Sequence, residues 1–148
     1  MKNKDRPKKV YTGGTFDLFH YGHVRLLESI KYKVPNCQVV VAVNSDKFCE
    51  SYKRKPVLEE LERLEVVRSC KNVDHAFIVE NWKSQNQYIH SVNPDYIAIG
   101  SDWKNQNYLK QLNITNKDLT KLSCKMLFIE YTKSISTTHI ISRIKSND

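Results

Sequence analysis

The sequence lacks the features of a membrane-spanning protein, a disulfide-stapled domain and a structural zinc site. No apolar run approaches the roughly 20 residues that a membrane helix needs. The basic residues at the start of the chain are not followed by the apolar core of a secretory signal. The four cysteines are scattered and form no CxxC pair, so we expect reduced, mostly buried thiols. These absences predict an intracellular, cytoplasmic protein with no membrane partner.

Acidic residues are outnumbered by basic ones, 16 against 24, which gives a net charge of +8. Such an excess favours anionic partners: nucleic acid, an acidic membrane or phosphorylated metabolites. Part of it lies in residues 1–8, predicted to be a basic tail whose side chains need no partner other than water. No aromatic-rich platform or recognition helix for nucleic acid is recognisable, so we expect no nucleic-acid partner. The remaining residues, 9–148, suffice for one domain with its own core.

Runs of apolar and β-branched residues alternate with segments of helical periodicity along the chain. Strands are predicted over five short runs: residues 9–12, 38–43, 76–79, 96–99 and 125–129. Helices are predicted over residues 21–33, 61–70 and 138–144, and two more short ones within the polar stretch 104–123. Strands separated by helices form parallel sheets covered on both faces. The predicted fold class is therefore α/β, a Rossmann-like doubly wound parallel sheet in a single domain.

The segment after the first predicted strand contains residues suited to a phosphate site. Ligands of open α/β sheets bind at the carboxyl ends of the strands, and there Gly13 and Gly14 let the backbone approach a phosphate. His20 and His23 follow on one face of the next helix start, where ring and backbone N–H groups can hold phosphate oxygens. This pattern alone also fits polar residues that only open the helix, or a zinc site without a suitably spaced third ligand.

Residues 14–23 read Gly-Thr-Phe-Asp-Leu-Phe-His-Tyr-Gly-His and resemble the HxGH signature of the cytidylyltransferase-like nucleotidyltransferases. Residues 135–138, Ile-Ser-Thr-Thr, resemble the end of that family's RTEGIST motif, and the resemblance runs over residues 10–145. It implies that a phosphate oxygen of the acceptor attacks the α-phosphorus of CTP and that pyrophosphate leaves without a covalent enzyme intermediate. It also implies that Mg²⁺ accompanies the triphosphate and that the protein is a homodimer.

The resemblance also implies roles for individual residues. The residues implied to be catalytic, by gripping the phosphates or closing over the triphosphate, are His20, His23, Lys53 and Lys55. The implied nucleotide-binding residues are Gly14, Thr15, Phe16, Asp102, Thr132, Ser136 and Thr137. Phosphate or acceptor binding is implied for Arg63, Lys71, Trp82, Trp103 and Lys133, and a magnesium contact through water for Asp17.

Structural alternatives remain open for several of these positions. Asp17 fits a turn or helix-start carboxylate as well as a magnesium partner, and Asp102 fits a helix cap as well as a substrate contact. Trp82 and Trp103 are compatible with core packing or with a pocket wall. The basic residues implied to bind phosphate also fit ordinary surface charges on a helix.

The second motif departs from the family pattern. Where the family reads Arg-Thr-Glu-Gly, this chain has Tyr-Thr-Lys-Ser at residues 131–134. Tyr131 cannot make the bidentate phosphate contact of an arginine, and Lys133 restores positive charge only as a point charge. This segment supports one alternative outside catalysis, a nucleotide-binding protein with weakened activity.

The acceptor is predicted from two short segments. Residues 81–82 (Asn-Trp) and 100–103 (Gly-Ser-Asp-Trp) resemble the glycerol-3-phosphate cytidylyltransferases in particular, so glycerol 3-phosphate is the expected acceptor. The alternatives are phosphocholine, phosphoethanolamine, a polyol phosphate or a sugar phosphate, and ATP in place of CTP. A glycerol phosphate pocket needs cations for a dianion, whereas a choline pocket uses an aromatic cage. Tyr131, Trp82 and Trp103 are compatible with such a cage.

Overall fold

Five parallel strands form the centre of the fold in the computed structural model, which describes residues 2–101 and 107–147. They are β1 (Lys9–Gly14), β2 (Gln38–Asn44), β3 (His75–Val79), β4 (Tyr96–Gly100) and β5 (Lys125–Ile129). Their order across the sheet is β3-β2-β1-β4-β5, and every neighbouring pair is parallel. The predicted doubly wound parallel sheet is confirmed, with each strand within two residues of its predicted bounds.

The helices within the described ranges are α1 (Tyr21–Lys33), α2 (Asp46–Glu50), α3 (Glu60–Ser69), α4 (Trp82–Val92), α5 (Tyr108–Gln111), α6 (Asn116–Leu122) and α7 (Thr137–Ser146). The two short helices expected in the polar stretch are α5 and α6. Helix α2 was not predicted, because five residues are too few to show helical periodicity. No helix in residues 2–101 and 107–147 is both long and apolar enough to cross a membrane.

Successive side chains of a strand point to opposite faces of the sheet. Apolar residues on both faces are buried in two cores. Val10 belongs to a core shared with Leu27 and Ile30 of α1 and with Leu64 of α3. The next residue, Tyr11, belongs to a second core on the other face. That second core also contains Ala42, Ile89, Ile97 and Leu122. The helices therefore cover both faces and leave the strand ends as the place where a ligand can bind.

Strands β1 and β4 separate before they end. Their pairing covers only Val10 with Tyr96 and Tyr11 with Ile97, whereas β1 stays paired with β2 as far as Gly14. The strand order also reverses between β1 and β4, which makes this the topological switch point of the sheet. A crevice therefore opens at the carboxyl end of β1.

Two of the basic residues before β1 are held against the sheet. Nη1 and Nη2 of Arg6 donate to the Asp95 carboxylate, at 2.9 and 3.0 Å. The backbone N–H of Lys9 donates to the same carboxylate at 2.8 Å, and Lys2 donates to the carbonyl of Pro94. Lys2 and Arg6 are therefore docked at the amino end of β4, while Lys4 and Lys8 are exposed as expected of a solvated tail.

Candidate active site

The HxGH histidines lie where β1 turns into α1, and hydrogen bonds fix their rings. His20 is the N-cap of α1, and its Nδ1 accepts a hydrogen bond from the Gly22 backbone N–H at 3.1 Å. Nδ1 of His23 accepts one from the His20 backbone N–H, also at 3.1 Å. A neutral imidazole that accepts at Nδ1 carries its proton on Nε2, so both rings are set to donate from Nε2. Both line one cavity of about 370 Å³, the nucleotide cavity.

Packing keeps both histidines uncharged. Their ring centroids lie 3.9 Å apart, and the His23 ring packs 5.3 Å from Phe16 and 5.2 Å from Phe19. Burial, followed by the neighbouring His20, lowers the pKa of His23 to about 3. Burial also lowers the pKa of His20. At neutral pH the pair therefore offers two neutral N–H donors held in place before a ligand arrives.

Gly22 permits the close approach of three segments. A Cβ at this position would lie 2.9 Å from Cε1 and 3.0 Å from Nδ1 of His20. It would also lie 3.1 Å from Cγ2 of Ile135, in the segment that leads into α7. All three distances are shorter than ordinary van der Waals contacts. The position of the His20 ring thus depends on the absence of a side chain at residue 22.

The second predicted phosphate-binding segment faces the histidines across the nucleotide cavity. Thr132, Ser136 and Thr137 all line it. Ser136 is the N-cap of α7 and accepts from the His139 backbone N–H at 3.0 Å, and the Thr137 hydroxyl donates to the Asp17 carbonyl at 2.9 Å. The N-terminus of a ten-residue helix therefore points its partial positive charge at this region.

Other predicted nucleotide-binding residues join the same cavity. Gly14, Thr15 and Phe16 line it at the end of β1. Tyr131, which stands where the family has arginine, lines it as well and is 46% exposed. Lys133 is exposed and is not part of the lining. The basic side chain that could replace the missing arginine therefore lies outside the nucleotide cavity.

A second cavity of about 400 Å³, the acceptor cavity, adjoins the first. The two cavities share the residues Gly13, Gly14, Thr15, Lys53 and Ile99. Trp82, which the resemblance implied to bind the acceptor, is one of the residues that line the acceptor cavity. Its other walls are mainly aromatic and amide side chains, those of Phe48, Tyr52, Tyr108, Asn44, Gln85 and Gln111. The shared residues mark the place where two ligands, one in each cavity, would meet.

The basic segment 53–55 contributes one lysine to this meeting point. Lys53 lines both cavities, its Nζ lies 5.8 Å from the centroid of the Tyr52 ring, and burial lowers its pKa. Arg54 lies 3.5 Å from the Asp17 carboxylate. Lys55 is exposed and lines neither cavity. Of the two lysines in this segment, Lys53 therefore lies at the site and Lys55 does not.

Asp17 has the contacts expected of the structural alternative, a carboxylate that stabilises a turn. Its Oδ1 accepts from the backbone N–H groups of Leu18 and Leu58, and its Oδ2 accepts from that of Val57 at 2.8 Å. The side chain is almost fully buried, and its neighbours Phe16 and Leu18 both have positive φ, 55° and 46°. Because it accepts from Leu18 on one side and from Val57 and Leu58 on the other, the carboxylate anchors the lysine-bearing loop to the turn after β1.

The described residues do not supply a metal site of their own. No group of three or more His, Cys, Asp or Glu side chains in residues 2–101 and 107–147 could hold a metal ion. Mg²⁺ commonly binds through substrate phosphates with one or two carboxylates and several waters. The predicted Mg²⁺ therefore stays a prediction tied to the triphosphate.

Arg63 also has a structural role in place of the predicted phosphate contact. Its side chain is fully buried. Nη1 donates to the carbonyls of Thr15 at 2.6 Å and Asn44 at 2.8 Å, Nε donates to a third carbonyl, and Nη2 pairs with Asp46 at 2.8 Å. With its donors committed to protein oxygens, Arg63 holds the ends of β1 and β2 in position beside the cavities.

Lys71, which the resemblance implied to bind phosphate, lies away from the cavities. Lys71 lies between α3 and β3, at the amino end of the strands, which is the edge of the sheet opposite the cavities. The position of Lys71 in the sequence matches the family. In the fold, the connection from α3 to β3 returns to the amino ends of the parallel strands, so Lys71 lies far from their carboxyl ends. Asp102 and Trp103 lie outside the described residues.

Several residues at the site were not singled out from the sequence. Asn44 and Gln85 are buried polar side chains, and Tyr52 precedes the predicted lysine by one position. Asn44 ends a continuous β-branched run, and a polar residue at the carboxyl end of a buried strand is the pattern that could have identified it. Gln85 and Gln111 have no local signal, because only the tertiary fold brings them to the crevice.

The chain belongs to the cytidylyltransferase-like family, whose family model matches residues 11–143. Glycerol-3-phosphate cytidylyltransferase of Bacillus subtilis (strain 168) is 32% identical over 137 residues, which are 93% of this chain and 97% of that protein. Choline-phosphate cytidylyltransferase 2 of Arabidopsis thaliana is 33% identical over 96% of this chain and 46% of its own length. The chain thus spans about half of that relative.

Two further similarities bear on the substrate and the fold. FAD synthase of Methanobrevibacter smithii is 32% identical over 95% of this chain and 93% of that protein. The lipopolysaccharide core biosynthesis protein of Thermoplasma volcanium GSS1 has a solved structure with a TM-score of 0.66, covering 86% of this chain and 98% of that one at 24% identity. This likeness supports the fold. The three relatives differ in the substrates for which they are named.

Proposed function

We propose that this protein transfers the cytidylyl group of CTP to a small phosphorylated alcohol, with glycerol 3-phosphate as the expected acceptor, and releases pyrophosphate. One observation carries the proposal. The two HxGH histidines and the N-terminus of α7 face one cavity, which meets a second cavity at the end of β1 and at Lys53. The first cavity suits a triphosphate and the second suits its acceptor.

The reaction is a direct displacement at phosphorus. An oxygen of the acceptor phosphate forms a bond to the α-phosphorus of CTP, and the bond from that phosphorus to the oxygen shared with the β-phosphate breaks. Pyrophosphate takes the bonding electrons and leaves. Such transfers depend mainly on positioning and on neutralising charge.

Two features of the site supply those requirements. His20 and His23 donate from Nε2 to phosphate oxygens, and their fixed rings need little reorganisation as charge develops. Lys53 faces both cavities, so its positive charge acts where the triphosphate and the acceptor phosphate approach each other. The start of α7, with Ser136 and Thr137, is placed to receive the leaving pyrophosphate.

Pyrophosphate release tests the proposal. CTP or ATP with Mg²⁺ is paired in turn with glycerol 3-phosphate, phosphocholine, phosphoethanolamine and longer polyol phosphates. We expect release only in the presence of an acceptor and faster release with CTP. His23→Ala should lower kcat by roughly 100-fold or more, as loss of a preorganised donor does. The matched control is His75→Ala, an exposed histidine at the amino end of β3, which should leave kcat unchanged.

Two results would contradict this assignment. Binding of CTP without release in the presence of any acceptor would favour the nucleotide-binding alternative that residues 131–134 suggested. Faster release with ATP than with CTP would replace the cytidylyl group by an adenylyl group. The FAD synthase among the relatives makes the comparison of the two nucleotides necessary.

Phosphocholine is the second candidate acceptor. The aromatic rings of Phe48, Tyr52 and Trp82 line the acceptor cavity, and aromatic walls suit a quaternary ammonium group. The plant relative named choline-phosphate cytidylyltransferase 2 also supports phosphocholine as a candidate. A higher kcat/KM for phosphocholine than for glycerol 3-phosphate in the same assay would select this candidate.

A further inference from the structure

The acceptor cavity contains a buried polar side chain with one end unpaired. Asn44, the last residue of β2, lines the cavity and is only 7% exposed. Its side-chain Nδ2 donates to the Tyr52 hydroxyl at 2.9 Å, while its Oδ1 has no hydrogen-bond partner. Buried amide groups are normally paired at both ends. The Oδ1 atom is also shielded from solvent, so a ligand in the cavity pairs with this amide only if the side chain turns towards it.

The charge of the cavity disfavours a cationic ligand. Lys53 is the charged side chain in its described lining, and no Asp or Glu appears among those described lining residues. A second positive charge in the same cavity would be repelled by Lys53, while a phosphate dianion would be attracted. The cavity thus suits an acceptor whose charge is confined to its phosphate.

The aromatic walls are already engaged with each other and with Lys53. The rings of Phe48 and Trp82 meet edge to face, with centroids 4.6 Å apart at 87°. The Tyr52 ring lies 5.6 Å from that of Trp82, and the Lys53 ammonium group sits over it. An aromatic cage for a trimethylammonium group needs ring faces turned to the ligand. The contacts of these rings with each other and with Lys53 already fix their positions in the cavity wall.

We propose that Asn44 determines acceptor specificity by hydrogen bonding to a hydroxyl group of a phosphorylated polyol. This inference rests on the cytidylyl transfer proposed above and adds the residue that selects the acceptor. A hydroxyl group both donates and accepts, so it satisfies the unpaired end of the amide in either orientation. A trimethylammonium group has no N–H to donate and leaves that end unpaired.

The test compares acceptors within each variant. For the wild type, Asn44→Leu and Asn44→Asp, kcat/KM is measured with CTP for glycerol 3-phosphate, a four- or five-carbon polyol phosphate, phosphocholine and phosphoethanolamine. The ratio of two kcat/KM values from one preparation does not depend on the fraction of folded enzyme. A variant that folds poorly therefore still reports on specificity. Tyr52→Phe serves as the comparison variant, because it changes the partner of Asn44 and keeps the amide.

The two variants of Asn44 should change the acceptor preference in different ways. We expect the wild type to prefer the polyol phosphates over phosphocholine. Asn44→Leu should lower that preference by about 10- to 100-fold, as loss of a buried hydrogen bond to a substrate hydroxyl does. Asn44→Asp should raise the relative use of phosphoethanolamine, because a carboxylate attracts its ammonium group. Tyr52→Phe should change the preference less than Asn44→Leu.

Three outcomes would overturn the inference. A wild-type preference for phosphocholine would leave cytidylyl transfer standing and remove the role of Asn44. An unchanged ratio in Asn44→Leu would show that the amide does not select the acceptor. Release of pyrophosphate with no acceptor at all would contradict the proposed function, and this inference would fail with it.

Discussion

Replacing Gly22 by alanine should slow catalysis without weakening the fold. The new Cβ would lie 2.9 Å from Cε1 of His20, whereas ordinary contacts begin at 3.4 Å. The imidazole must therefore shift by about 0.5 Å, and the hydrogen bond from the Gly22 N–H to its Nδ1 must adjust with it. The Nε2 donor then no longer points where the fixed ring held it.

The size of the effect follows from this shift. A misplacement of about 1 Å at a reacting centre costs on the order of 100-fold in rate. Half of that shift predicts a fall in kcat of about 10-fold, which corresponds to about 1.4 kcal/mol in activation free energy. Alanine favours a helix over glycine by about 1 kcal/mol, and the close contact with Ile135 opposes that gain. The free energy of unfolding should therefore change by no more than about 1 kcal/mol.

Pyrophosphate release at saturating CTP and acceptor measures kcat, and urea unfolding measures stability. Ser91→Ala, at an exposed position of α4, controls for alanine in a helix and should leave kcat unchanged. A Gly22→Ala enzyme with wild-type kcat would refute the reasoning, because the ring position would then not matter. A large loss of stability would also refute it, since the fall in kcat would have another cause.

Three further predictions follow from the same site. Lys53→Ala should lower kcat/KM by roughly 100-fold, while Lys55→Ala should have little effect, in the same release assay. Asp17→Ala should raise the KM for CTP and lower the free energy of unfolding in urea by about 1–3 kcal/mol, because two loop amides lose their buried acceptor. Asp17→Asn, which keeps a carbonyl oxygen, should lose less. The lowered pKa of His23, about 3 against the ordinary 6.5, means that the unfolded state binds a proton first as the pH falls. The free energy of unfolding should therefore fall below pH 6.5, by about 2 kcal/mol at pH 5. Urea unfolding at pH 7 and pH 5 measures this loss, which should be smaller in His23→Gln.

The strands and the phosphate-binding segments could be predicted because their signals are local. The run over β2 is apolar at every position from 39 to 43, which indicates a strand buried on both faces. Gly22 and the histidines on either side of it also stand within four residues, so their pattern is visible in the chain. The homodimer and the cytoplasmic location stay predictions.

The partners of Asp17 and Arg63 could not be predicted, because most of them are distant in the chain. Asp17 is held by amides 40 and 41 residues away, and Arg63 donates to a carbonyl 48 residues away. An aspartate or arginine looks the same in the sequence whether it contacts a ligand or other parts of the protein. Only the fold determines which oxygens and N–H groups surround it. The importance of Asn44 likewise depends on Tyr52 and on the cavity that the diverging strands leave open.

The most direct test of the central claim follows the phosphorus atoms. CTP labelled at the α-phosphorus or at the γ-phosphorus is incubated with glycerol 3-phosphate and the wild type, with His23→Ala and His75→Ala run in parallel. We expect the α label to enter a new cytidine diphosphate ester and the γ label to leave in pyrophosphate. We also expect both transfers to fall together in His23→Ala alone. Appearance of the γ label in orthophosphate, or of the α label in free CDP, would contradict the proposed function, since either result would mean attack at a different phosphorus.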